Sequence, residues 1–232
     1  MEGAGRQASR ARVVGVLFIV ATLMGIASGG VMAPVTAGGD VLAGYAASAG
    51  TVAIAALLNV VMATSVVAIA VAMYPVLRQG TDTLAAGYLA ARTVEGALLL
   101  AATAIWPALV VLGMRHMDAS VGEPALLQAV ADALGTLAGT LFTLAVMFAF
   151  GASAVMLNLA FLRLRLVPGW IAWWGLVGGG LLVVSGVLTL AGQRSDMMEM
   201  VLSLPVAINE MVLAVWLIVR GFDFSSSEAG QG

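Results

Sequence analysis

The sequence predicts an all-α membrane protein, a polytopic bundle of six transmembrane helices. Of its 232 residues, 62% are hydrophobic and only 9% are charged, whereas a soluble domain averages about half apolar and about a quarter charged residues. The apolar residues also form continuous runs of about 20 or more, the length that a helix needs to cross the hydrocarbon core. This composition excludes a soluble enzyme and a disordered chain. It also excludes a nucleic-acid-binding protein, because the net charge of −2 leaves no basic surface for phosphates.

Six apolar runs are long enough to span a membrane, and we predict one helix for each: 13–31, 51–77, 84–113, 135–162, 170–191 and 200–219. Strands are not expected, because apolar and polar residues do not alternate, and backbone amides in lipid must be satisfied internally. The first run is predicted to be a retained helix. Its apolar stretch exceeds the roughly 7–15 residues of a signal-peptide core, and five more runs follow.

The arginines predict the orientation. Cytoplasmic loops are enriched in Lys and Arg, and this chain has ten Arg and no Lys. If the N-terminus is inside, only Arg115 and Arg194 lie outside, and seven arginines face the cytoplasm: Arg6, Arg10, Arg12, Arg78, Arg163, Arg165 and Arg220. We therefore predict a multi-pass protein of the bacterial cell membrane with both termini cytoplasmic. Its parts are a tail at 1–12, one six-helix domain at 13–220 and a tail at 221–232.

Four stretches of the chain resemble an uncharacterised bacterial membrane family known as domain of unknown function 4386. They are Arg-Val-Val-Gly-Val-Leu-Phe-Ile at 12–19, Val-Ala-Met-Tyr-Pro-Val-Leu-Arg at 71–78, Leu-Val-Pro-Gly-Trp at 166–170 with Trp-Gly-Leu-Val-Gly at 174–178, and Leu-Pro-Val-Ala-Ile-Asn-Glu at 204–210 continuing through 215–222. The resemblance covers residues 12–222 and implies one six-helix domain. It implies no activity and no site residues.

Three charged residues lie inside the predicted spans. At a rise of 1.5 Å per residue, Arg92, Glu95 and Glu210 are about 12, 16 and 15 Å deep, in one layer near the midplane. Arg92 and Glu95 share a helix face, Tyr88 lies one turn away on that face, and Asn209 is adjacent to Glu210. Ionisable groups at this depth are costly and by default mark a functional site. These five residues are the candidate binding site, and we expect Arg92 to pair with Glu210, Glu95 or both.

Two interpretations of this cluster stay open. It is either a buried ion pair that fixes helix register, or a site whose second acid binds a proton, a cation or a substrate amine. The favoured function is a non-enzymatic membrane module: a sensor, an accessory subunit or a binder of a lipophilic molecule. The alternative is a small transporter or a proton- or cation-linked permeation protein that uses the cluster.

No enzyme and no cofactor are predicted. The sequence contains no familiar catalytic motif, and a chain with one His and no Cys has no ligand set for a multi-histidine or thiolate metal site. The expected partners are the lipid bilayer and a small lipophilic or cationic ligand, without nucleic acid, and the oligomeric state is left open. Three glycine pairs at four-residue spacing are predicted to pack within the monomer: Gly25/Gly29, Gly135/Gly139 and Gly175/Gly179.

Overall fold

The computed structural model describes residues 2–119, 123–193 and 195–223. Residue 1 and residues 120–122 and 194 lie outside this range, as do residues 224–232 of the predicted C-terminal tail. In the described residues every regular element is helical, so the predicted all-α class is confirmed. The helices are α1 (Glu2–Thr36), α2 (Val41–Ala47), α3 (Ala49–Leu77), α4 (Asp82–Met117), α5 (Glu123–Thr143), α6 (Gly151–Leu164), α7 (Gly169–Leu190) and α8 (Asp196–Val219).

Six helical runs are long and apolar enough to span a membrane, as the sequence predicts. The fourth is a continuous run from Glu123 to Leu164, in which a π-helical turn, Leu144–Phe150, joins α5 to α6. The helices extend beyond the apolar runs. In particular α1 begins at Glu2, well before the predicted start at residue 13, because the residues that precede the apolar run include no proline.

The chain divides into two compact units. The first unit comprises Met1–Val20, Ser65–Glu95 and Leu144–Gly232, and the second comprises Ala21–Thr64 and Gly96–Thr143. Helices α1, α3 and α4 contribute residues to both units, while α6, α7 and α8 belong to the first. The single domain predicted at 13–220 stays a prediction.

In the first unit, α7 packs through its glycines. A Cβ atom at Gly178 would overlap the backbone of Val206 on α8, and one at Gly179 would press on Ala154 of α6. Residues without a side chain let helices approach closely. A Cβ atom at Gly175 would overlap the side chains of Asn158 and Asn209. The intrachain packing predicted for Gly175 and Gly179 is therefore confirmed.

In the second unit, the glycines behave differently. Gly25 packs against the side chain of Met62, but a Cβ atom at Gly29, Gly135 or Gly139 would meet no described atom within 4 Å. The prediction of packing within the monomer is wrong for these three positions. At Gly135 the physical reason is visible, because this residue lines a cavity and its small size leaves that space open.

Candidate functional site

Arg92 is the centre of an ion cluster in the first unit. Its Nη1 atom donates to Oε2 and Oε1 of Glu95, at 3.1 and 3.3 Å, and its Nη2 atom donates to Oε1 of Glu210 at 2.7 Å. Glu95 lies three residues further along α4, whereas Glu210 comes from α8. The contact between Arg92 and Glu210 that the sequence predicts is therefore present, and one guanidinium engages both acids.

The cluster is shielded from its surroundings. Arg92 is 2% exposed and Glu95 is 3% exposed, while the side chain of Glu210 is 17% exposed. Leaving a charge unpaired at this depth costs at least roughly 2.5–3.5 kcal/mol on the lenient insertion scale. The charge-assisted hydrogen bonds of Arg92 offset part of this cost, and the bond to Glu210 is the short one at 2.7 Å.

Three aromatic rings surround the guanidinium. Its Cζ atom lies 5.8 Å from the ring centroid of Phe18, 5.7 Å from that of Tyr88 and 4.8 Å from that of Phe150. A cation over a ring face within about 6 Å is attracted by the ring quadrupole, more strongly where both are desolvated. Sequence reasoning identified Tyr88 and missed the two phenylalanines. A Phe in an apolar run carries no local signal of what it contacts, and Phe150 ends the π-helical turn, which shifts the helical register there.

Two polar atoms of the cluster are left without a hydrogen bond. The Tyr88 hydroxyl and the Arg92 Nε atom are buried and have no partner within the described part of the chain. One basic group also faces two acidic ones, so the cluster carries one excess negative charge when all three groups are ionised. This imbalance is the feature of the cluster that a purely structural ion pair does not need.

Asn209 faces away from the ion cluster. Its Nδ2 atom donates to the carbonyl oxygen of Ile171 at 2.8 Å, and its side chain packs with that of Asn158 over Gly175. Adjacent residues on a helix point about 100° apart, which separates Asn209 from Glu210. The structure thus brings Arg92, Glu95, Glu210 and Tyr88 together and assigns Asn209 to the contact of α7 with α8.

The second unit contains an open-sided cavity of about 570 Å³. Side chains from α1, α2, α4 and α5 line it, and most are apolar or small, among them Met32, Leu42, Leu109, Ala131 and Ala138. Sequence reasoning did not identify this cavity, because its lining comes from four separate parts of the chain.

The cavity also has a small polar lining. It includes the rings of Tyr45 and Trp106 and the paired side chains of Gln128 and Asp132, whose Nε2 and Oδ1 atoms are 2.8 Å apart. Tyr45 is 5% exposed, and its hydroxyl makes no hydrogen bond to any described residue. Burial raises the pKa of Tyr45 above its usual value. A tyrosine keeps its phenolic proton at neutral pH, so this hydroxyl can donate a hydrogen bond.

Tyr45 is positioned by α2, a short helix that the sequence analysis did not predict. Asp40 caps this helix, since its Oδ1 atom accepts a hydrogen bond from the backbone amide of Ala43 at 3.0 Å. The other oxygen, Oδ2, lies 3.6 Å from Nε2 of His116 at the end of α4. An Asp directly before an apolar stretch is a helix-start signal, and it was the available clue to α2.

A family model described as a domain of unknown function, DUF4386, matches residues 13–221. No curated protein and no solved structure matched the chain. The matched range reaches from α1 to the end of α8 and so includes the residues of both candidate sites. The chain belongs to the family known as domain of unknown function 4386, which the four sequence stretches resemble.

Proposed function

We propose that this protein is a non-enzymatic membrane module that binds a lipophilic ligand. The observation that carries the proposal is the cavity of the second unit. Its volume of about 570 Å³ falls within the roughly 300–1,000 Å³ of ligand sites, and its apolar lining with a few convergent polar groups is typical of them. Such a lining suits a lipophilic molecule, because apolar surface gains free energy when it leaves water for an apolar cavity.

In this proposal the ion cluster is structural. Arg92 and Glu95 are almost completely buried, and Arg92 bridges α4 to α8 within the first unit. A buried arginine that binds an acid of another helix is suited to fixing helix register, even though the cluster carries one excess negative charge. The ligand-binding role therefore rests on the cavity and not on Arg92.

Fluorescence quenching tests the cavity. Trp106 lines it, so a dodecanol carrying bromine on its tail should quench Trp106 in a saturable manner when added to the protein in lipid nanodiscs. The saturable component should disappear in Trp106→Phe. It should also weaken in Ala131→Leu, because the larger side chain occupies the space of the ligand.

The matched control is Trp170→Phe, which removes a tryptophan from α7 in the first unit. This variant should keep the saturable component, since Trp170 does not line the cavity. Quenching that rises linearly with alcohol concentration in the native protein and every variant would contradict the proposed function.

A second candidate is a proton- or cation-linked permeation protein. The excess negative charge of the cluster and the 17% exposure of the Glu210 side chain favour it. Pro205, five residues before Glu210, removes a backbone hydrogen bond from α8. Proteoliposomes loaded with a pH-sensitive dye test this candidate. Native protein should then carry a proton flux that Glu210→Gln abolishes, and equal leakage through both proteins would exclude it.

A further inference from the structure

The polar groups of the cavity indicate the head group of its ligand. We propose that the ligand is a cationic amphiphile, an apolar chain that ends in an alkylammonium group, and this proposal rests on the proposed function. The apolar part of the lining takes the chain. Tyr45, Trp106 and Asp132 receive the head group.

Charge complementarity is the first argument. Asp132 is the one charged side chain in the described lining of the cavity. Asp132 is exposed, and its Oδ1 atom accepts a hydrogen bond from the neutral amide of Gln128, which does not neutralise its charge. No basic side chain of the described residues forms an ion pair with Asp132. A cationic head group supplies the missing charge, whereas an anionic one would be repelled.

The aromatic lining is the second argument. Tyr45 and Trp106 approach from α2 and α4 and both line the same space. Aromatic side chains recognise alkylammonium groups, because the ring faces attract a cation without hydrogen bonding to it. Tyr45 also offers a hydroxyl that no described residue uses, which suits a head group carrying water or a further acceptor.

The third argument is that the cavity combines polar with apolar lining. Gln128 and Asp132 line it on α5 beside the small apolar side chains of Ala131 and Ala138. A ligand that fills the cavity therefore meets both a charged group and apolar surface. This is the polarity of an amphiphile and not of a uniformly apolar molecule.

Competition between ligands of one tail length tests the head group. Dodecyltrimethylammonium, dodecanol and dodecanoate each displace the brominated alcohol from the native protein to a measurable extent if they bind the cavity. The cation should bind tightest and dodecanoate weakest. Asp132→Asn should lower the affinity for the cation about fivefold, as the loss of a partly exposed ion pair predicts. The affinity for dodecanol should stay unchanged.

Asp82→Asn is the matched control, because it removes an exposed carboxylate from the first turn of α4 and should change none of the three affinities. Raising the salt concentration should weaken the binding of the cation alone. This tests the contribution of charge to binding without any substitution. Equal binding of all three ligands, or tightest binding of dodecanoate, overturns the cationic head group while the proposed function stands. The absence of saturable binding by any of them overturns both.

Discussion

At the scale of single residues, Arg92 differs from an ordinary buried cation because it engages two acids and three rings at once. Removing one partner of a buried ion pair leaves an uncompensated charge, which is more destabilising than replacing the whole pair by neutral groups. The three charged residues of the cluster are therefore not equivalent. Arg92 is common to both ion pairs, whereas Glu95 and Glu210 each take part in one.

We expect Arg92→Ala to lower the free energy of unfolding by about 3–5 kcal/mol, because it strands two buried carboxylates. Glu95→Gln and Glu210→Gln should each lower the free energy of unfolding by less, since the amide retains a hydrogen-bonding oxygen for the guanidinium. Unfolding in mixed micelles of mild and denaturing detergent measures the three values.

The control for this prediction is a triple variant in which Arg92→Ala accompanies Glu95→Gln and Glu210→Gln. It leaves no charge behind and should be more stable than Arg92→Ala alone. If the single and the triple variant are equally unstable, the loss comes from packing around residue 92 and not from stranded charge.

The burial of Tyr45 predicts that the protein becomes less stable at alkaline pH. Its raised pKa means that the folded protein keeps the phenolic proton at a pH where the unfolded chain has lost it. Its contribution is therefore constant below the usual tyrosine pKa of about 10 and declines as the pH rises above that value. In Tyr45→Phe the decline between pH 9 and pH 11 should be shallower than in the native protein. Identical pH profiles of the unfolding free energy would contradict this assignment.

At the scale of elements, the α7 helix shows how glycine position decides helix contacts. Gly175 lies under the side chains of Asn158 and Asn209, whereas a Cβ atom added to Gly180, on the same helix, would meet no described atom within 4 Å. Both residues have the same intrinsic helix propensity, so a difference between their substitutions measures packing alone.

We therefore expect Gly175→Leu to destabilise the protein strongly in detergent without a specific change in assembly, because α6 and α8 must move apart. Gly180→Leu should be close to neutral or slightly stabilising, since Leu is the better helix former. Thermal unfolding measures the stability of the variants, and size-exclusion chromatography measures their state of assembly. If Gly175→Leu instead converts a dimer into a stable monomer, this face of α7 contacts another copy of the chain.

The short α2 helix depends on its cap. Asp40→Ala removes the acceptor for the Ala43 amide and should cost about 0.5–2 kcal/mol of stability. Asp40→Asn keeps the cap but loses the charge that faces His116, so it should retain most of the stability. Because α2 positions Tyr45, Asp40→Ala should also weaken saturable binding in the cavity. Equal effects of the two substitutions would assign the loss to the contact with His116 and not to the cap.

At the scale of the whole molecule, the arginine distribution predicts both termini in the cytoplasm. The chain contains no native Cys, so single cysteines report the orientation directly. Ala119→Cys should react with a membrane-impermeant thiol reagent added to intact cells, and Gly80→Cys should react only after the cells are opened. The reverse pattern would mean that the protein is inserted in the opposite orientation.

The six spans were predictable because hydropathy is a local property of the chain. Each apolar run is long enough to cross a membrane whatever its neighbours are. Each corresponds to one helical span of the structure, and only the fifth run extends past its helix, by one residue. The contact of Arg92 with Glu210 was also predictable, since charges at matched depth have few ways to avoid lipid other than pairing.

The sequence by itself determined a six-helix membrane protein, its family and the layer of buried charge. Only the tertiary structure decided that Phe18 and Phe150 surround Arg92, that Asn209 contacts α7 instead, and that Gly135 borders a cavity while Gly175 is packed. The type of a residue and its depth in the membrane indicate what it needs; a buried charge, for example, needs a partner of opposite charge. Which residue meets that requirement depends on the packing of helices that are distant in sequence, and no local pattern records it.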